Sequence, residues 1–181
     1  MTATTRFVPI VLLVLAAFAT GCSQARNTPE QALAQVKQAL KSEQWELLYD
    51  LVPPDLQKAW DDETAKIDAI AKRLIAERGA DVAAQVMKDQ IGVSLAAWEK
   101  AGDARKRFAL NFAPTAKRGL AELGVNTDEV LSSAIKSSEV KGDVAYFSLD
   151  DGKGHRSKLR FKLISGLWRF DLEQIKKEGG G

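Results

Sequence analysis

The side chains able to do chemistry in this 181-residue chain are few and scattered. Cys22 is its only cysteine and His155 its only histidine. An intrachain disulfide is therefore impossible, and a zinc site of the usual Cys/His kind is excluded as well. His155 is the one side chain whose ordinary pKa suits proton transfer near neutrality. It lies in "DDGKGHRSK", a polar, glycine-bearing turn that holds a base too loosely for catalysis. We expect it to be solvated, so that His155→Ala changes neither stability nor role. Asp61-Asp62-Glu63 has the composition of a paired-carboxylate or metal site. The same residues suit an early helical turn, where acids complement the dipole, and that reading is preferred. Asp151-Gly152-Lys153-Gly154 shares only glycine content with phosphate loops and lacks the following helix, so it reads as a hairpin turn. No cofactor is implied.

Two further sets are larger. Trp45, Trp60, Trp98 and Trp168 have the character of pocket-lining residues, yet Trp45, Trp60 and Trp168 fall at core-periodic positions, which favours packing. "RSKLRFKLI" alternates strictly, with Leu159, Phe161 and Leu163 on one face and Lys158, Arg160 and Lys162 on the other. Such a basic row, extended by Arg169, suits the phosphates of lipid headgroups or lipopolysaccharide. It equally suits any solvent-facing strand, where charge discourages edge pairing. If the row is exposed, Lys158→Ala and Arg160→Ala should each stay within about 0.5 kcal/mol of wild type. Phe161→Ala and Trp168→Ala should each cost about 3–5 kcal/mol.

The elements that must carry these residues follow from periodicity. Thr28-Pro29-Glu30-Gln31 is a helix start with a capping-box pattern. Leu33, Val36 and Leu40 continue it at helical spacing. Ser42 is expected to cap a short helix carrying Trp45, Leu48 and Tyr49, which Pro53-Pro54 ends. A longer helix over Asp55 to Glu77 places Leu56, Trp60, Ile67, Ile70 and Leu74 on one face, with Gly79 as its stop. Asp81 opens a further segment with Val82, Val86 and Met87, and Ser94 caps a turn reaching Trp98. Pro114 and Thr115 begin a short helix that ends at Gly124. After Asp128 the period changes to that of strands: "SSAIKSSEV", "DVAYFSL", "RSKLRFKLI" and "LWRFDL", joined by glycine-bearing turns. The expected fold is α+β, a helical layer on an antiparallel meander of about four strands, one face on the helices and one in water.

Composition narrows the class of function. The chain is 45% apolar and 28% charged, the balance of a packed globular domain. Its formal charge is +2, and removing Arg6 leaves +1 for everything after Cys22. Charges of both signs are interspersed, which gives no general attraction to nucleic acid.

Arg6 precedes an apolar run from Phe7 to Ala19, which is followed by Thr20-Gly21-Cys22. The run is shorter than the roughly 20 residues of a membrane span and fits the apolar region of a secretory signal. Ala19-Thr20-Gly21-Cys22 resembles the lipoprotein box of bacterial lipoproteins, although that family prefers Leu where Ala19 stands. The resemblance implies a diacylglyceryl thioether on Cys22 and cleavage between Gly21 and Cys22. Residues 1–21 would then be the signal peptide and 22–27 a lipidated tether. Ser23, where an Asp would retain such a protein in the inner membrane, implies the outer membrane in a diderm cell. Acyl chains bury about 0.8 kcal/mol per methylene, so two or three anchor durably.

Residues 28–178 form the expected single domain, with Gly179 to Gly181 a disordered tail. Thr28-Pro29-Glu30, Leu51-Val52-Pro53, Val140-Lys141-Gly142-Asp143 and Gly166-Leu167-Trp168-Arg169-Phe170-Asp171 resemble, in that order, small bacterial lipoproteins with a nuclear transport factor-like, or cystatin-like, domain. The likeness covers both ends of the domain and leaves residues 80–130 as a helical elaboration. It implies a helix-backed curved sheet, which hosts interaction modules as well as carriers and enzymes that use a cone-shaped pocket. The resulting expectation is a non-catalytic envelope module. Its partners would be the membrane through Cys22 and an envelope protein or anionic headgroup through Lys158, Arg160 and Lys162.

Overall fold

The computed structural model describes residues 28–154 and 156–172. Among these residues, helices come first and a four-stranded antiparallel sheet follows, so the chain is mixed α+β. Cys22, His155 and the glycine tail lie outside the described residues.

Helix α1 (Pro29–Lys41) has the cap read from the sequence: the Gln31 N–H donates to Thr28 Oγ1 at 3.3 Å, and the Thr28 N–H to Gln31 Oε1 at 3.2 Å. Ala32, Leu33, Val36, Ala39 and Leu40 form its buried stripe. Ser42 does not cap the next helix. Because α1 runs through Lys41, Ser42 falls at its carboxyl end, and its hydroxyl donates to Gln38 O at 2.6 Å. Helix α2 (Trp45–Leu51) starts without a side-chain cap.

Helix α3 (Pro54–Arg78) stops at Gly79, whose φ of 87° is strained for any residue with a side chain. Ile70, expected on its buried face, is 45% exposed, whereas Ile67 is buried as expected, together with Thr64 and Ala71. The helix changes neighbours along its length, α6 (Ala104–Phe112) and then α4 (Ala80–Val86), so no single stripe serves both. A single π-helical turn, Met87–Ile91, extends α4. Ser94 caps α5 (Leu95–Ala101) as expected, accepting from the Ala97 N–H at 3.2 Å. Helix α6 is unforeseen in the sequence, although Asp103 caps it at 2.8 Å from the Lys106 N–H. A 3-10 turn leads into α7 (Ala116–Glu122). Helix α8 (Thr127–Ser132), capped by Asn126, takes the first residue of the strand expected from Ser132.

The strands β1 (Ala134–Lys141), β2 (Val144–Asp150), β3 (Arg156–Ile164) and β4 (Leu167–Phe170) lie in sequence order. Ser165 and Gly166, both at positive φ (51° and 77°), make the two-residue turn between β3 and β4 that matches strand twist. Ala145, Phe147, Leu149, Leu159, Phe161, Trp168 and Phe170 are the buried face. The expectation of one packed face fails for β1. All eight of its residues are exposed, Ile135 by 49% and Val140 by 54%, because β1 lies beyond the reach of the helical layer and is held by β2. A bulge at Lys136 interrupts its register.

Two hydrophobic clusters result. The larger joins α1, α2, Phe108, Leu120, Val130 and the buried sheet face. The smaller joins Ile67 and Ala71 to Ala83, Met87, Val93, Leu95 and Trp98. Polar groups tie α3, α5 and α6 together beside it. Asp68 pairs with Lys72 at 2.7 Å and with Arg107 at 3.0 Å. Arg107 also donates to Trp98 O at 3.3 Å and lies 5.5 Å from the centre of that indole ring. Trp98 Nε1 makes no full hydrogen bond to any described residue, yet it helps to favour the charged Asp68 carboxylate. The Lys72 ammonium, followed by Arg107, holds the Asp68 carboxyl below its usual range, against the opposing effect of burial.

Two outcomes follow. Phe161 is fully buried and meets Phe147 and Phe170 at ring distances of 5.6 and 5.3 Å. Phe161→Ala should cost about 3–5 kcal/mol in urea unfolding; a loss below 1 kcal/mol, on the order of an exposed-site change, would contradict this packing. The depressed Asp68 pKa means that its stabilisation is complete above the unfolded carboxylate value, about 4, and is lost as pH falls through the lower folded value. Asp68→Asn should therefore destabilise by about 2 kcal/mol at pH 7, the scale of a lost hydrogen bond to a charged group, with a gap that narrows below about pH 4. A gap independent of pH would refute the assignment.

Candidate functional site

Leu159 and Phe161 point into the core, so the period-two pleat sends Lys158, Arg160 and Lys162 to the opposite face. Their cross-strand neighbours on β2 are Ser148, Tyr146 and Val144; on β4, Lys162 faces Arg169. The three cations then meet different fates. Lys158 is exposed and lays its ammonium 4.4 Å from the centre of the Tyr146 ring. Lys162 is exposed and forms no ion pair with a described residue.

Arg160 is not the solvated contact expected from the alternation. Its Nη1 donates to Asp171 Oδ2 at 2.7 Å, with the two side chains only 17% and 9% exposed. The main chain adds a bond from the Asp171 N–H to Arg160 O at 2.9 Å, and Tyr146 covers the guanidinium at 5.9 Å. The strand pattern ends at Phe170, and Asp171 turns inward behind it rather than outward into water. Arg169 leaves the row too. Its Nη1 donates to Asp50 O near the end of α2, where the last carbonyls lack helical partners. The Nε atoms of Arg160 and Arg169 are buried without hydrogen-bond partners among the described residues. Both guanidiniums are thus structural props of the sheet edge.

Beside this corner lies a cleft of about 190 Å³ between the start of α3 and the outer side of β3. Pro53, Leu56 and Ile164 form its apolar walls, with Asp55 and Lys162 among its charged groups and the Arg160–Asp171 pair adjoining. A second recess, about 350 Å³, lies between Glu43 and Trp45 on one side and Pro114 and Lys117 on the other.

The remaining candidates do not converge. Asp61 accepts from the Tyr49 hydroxyl at 2.8 Å, Asp62 pairs with Lys58 at 2.8 Å and Glu63 with Lys66 at 3.2 Å. Burial, then the Asp61 hydrogen bond and nearby negative charge, pushes the Tyr49 hydroxyl up to about 12. Trp45, Trp98 and Trp168 are buried in different parts of the two clusters. Trp60 stacks on Phe108 at 4.2 Å. The Asp151-Gly152-Lys153-Gly154 segment is a turn before β3, with the Lys153 N–H donating to Asp151 Oδ1 at 2.8 Å. The roles of Tyr146 and Asp171 are new. Tyr146 has a signal in the sequence, since pairing "DVAYFSL" with "RSKLRFKLI" brings it between cations; Asp171 has none.

Compared with protein families, curated proteins and solved structures, the chain has no match.

The geometry separates residues that look equivalent in sequence. Arg160→Ala leaves a carboxylate buried without its cation and should cost about 3 kcal/mol. Lys158→Ala should stay within about 0.5 kcal/mol. Equal, small losses in urea melts would contradict the buried pair.

Proposed function

We propose that this protein is a lipid-anchored, non-catalytic module of the bacterial cell envelope. Its domain would be of the nuclear transport factor-like kind, with residues 80–130 as a helical elaboration. The observation that carries this reading is the division of labour across the sheet. Phe147, Leu149, Leu159, Phe161 and Phe170 are wholly buried on the inner face, so packing occupies the place where a pocket-using relative of the resembled fold would hold a ligand. The accessible chemistry is on the outer face, in Lys158, Tyr146 and Lys162. The order of elements, helices and then an antiparallel meander, is consistent with the resembled domain.

The anchor is Cys22, preceded by the apolar run and small residues of a lipoprotein box. Thr28 lies six positions after it, and a chain of that length reaches at most about 20 Å. A domain held so close to a bilayer has its cations within range of anionic headgroups, where each contributes about 1 kcal/mol. With Arg160 engaged by Asp171, that contact falls to Lys158 and Lys162. Ser23 directs the anchored protein to the outer membrane in a diderm cell.

Metabolic labelling with an acyl probe tests the anchor. Wild type should incorporate label and fractionate with membranes; Cys22→Ser should do neither. Equal labelling of the two proteins would overturn the proposal.

A further inference from the structure

We propose that the cleft between α3 and β3 binds a small zwitterion, a molecule carrying one anionic group and one ammonium group. The cleft's charges decide this class. Arg160 and Asp171 neutralise each other at 2.7 Å and are largely buried. That leaves Lys162 and Asp55, both exposed and neither paired with any described residue. Among the described residues, a cleft that presents an ammonium and a carboxylate without side-chain ion pairs disfavours a simple anion, which Asp55 repels, and a simple cation, which Lys162 repels. A ligand with both charges satisfies the two at once.

The surroundings support that choice. Asp55 lies in the first turn of the 25-residue helix α3, where the positive end of the helix dipole favours its ionised form and keeps the carboxylate available to a ligand's ammonium group. Pro53, Leu56 and Ile164 supply apolar wall for the short carbon linker that joins the charges of such a ligand. The volume, about 190 Å³, equals the share of about six water molecules. That suits a headgroup or an amino acid and falls below the usual range for larger organic ligands. The rigid floor is the Arg160–Asp171 pair, held by two hydrogen bonds between the residues and by Tyr146.

Two sources share this chemistry: a phosphoethanolamine lipid headgroup and a free α-amino acid. The first rests on the membrane-anchored reading above; the second does not.

Calorimetric titration of the full chain in detergent micelles tests the proposal with four probes: phosphoethanolamine, alanine, glycerol 3-phosphate and ethanolamine. At least one zwitterion should bind about tenfold or more tightly than either probe that carries charge of one sign only, the scale of one charge-assisted contact. Preference for phosphoethanolamine assigns the headgroup, and preference for alanine assigns the amino acid. Lys162→Gln and Asp55→Asn should each weaken the zwitterion by about tenfold. Asp55→Asn should leave glycerol 3-phosphate unchanged or tighter. Both positions are exposed, and unchanged urea midpoints will verify folding. Absence of zwitterion binding at millimolar concentration, equal binding of glycerol 3-phosphate, or indifference to Asp55→Asn would each overturn the proposal. None of these outcomes depends on acylation of Cys22, so a failed anchor and a failed cleft are separately visible.

Discussion

Helix α6 serves two hydrophobic clusters at once, and the arrangement of the helical half depends on its doing so. Phe108 belongs to the cluster under the sheet and stacks on Trp60 with ring centres 4.2 Å apart and an interplanar angle of 14°. Leu110 packs on the other cluster, and Arg107 reaches Asp68 and Trp98 beside it. At its outer side, Arg105 grips α2, donating to Glu46 O at 3.3 Å and pairing with Asp50 at 2.6 Å. A nine-residue helix with a single apolar stripe could not meet these demands. This one divides its circumference among aromatic, aliphatic and ionic contacts.

A comparable division holds at the β4 edge. An unprotected edge strand invites pairing with another chain; here α1 and α2 cover it, and Arg169 fastens it to α2. The ion pair of Arg160 and Asp171 closes the strand's end. Such a pair adds little net stability over an apolar equivalent, but loss of either member strands a charge. Its contribution is to orientation. It fixes where β4 ends and keeps two charges from competing for the adjoining cleft.

The elements legible in the sequence are those whose stabilising interactions are local. The Thr28 capping box, the stop at Gly79 and the alternation of β3 each depend on residues within a few positions of one another, and all three occur in the structure. Helix α6 was hidden because its buried residues answer to two partners, which erases a simple 3.6-residue period. Ile70 was misplaced for a related reason: a 25-residue helix that changes neighbours cannot keep one stripe throughout. At the candidate site, alternation correctly gave the side of the sheet for Lys158, Arg160 and Lys162 but not their company. Arg160, on β3, and Asp171, just past the end of β4, lie eleven positions apart, and no local pattern distinguishes a paired arginine from a solvated one.

Among the described residues, strand β1 is held mainly by β2, and all eight of its residues are exposed. Its opening would expose little apolar surface that water does not already reach, and the bulge at Lys136 has already interrupted its ladder. Opening free energies within one native protein range from nearly zero to the full unfolding value, according to how much burial each motion undoes. The amides that β1 shares with β2 therefore exchange with solvent by local fraying, while those joining β2 to β3, above wholly buried Phe147 and Leu159, wait for the whole domain to unfold. The sheet is thermodynamically graded across its width, loose at its first strand and as stable as the entire molecule two strands further in.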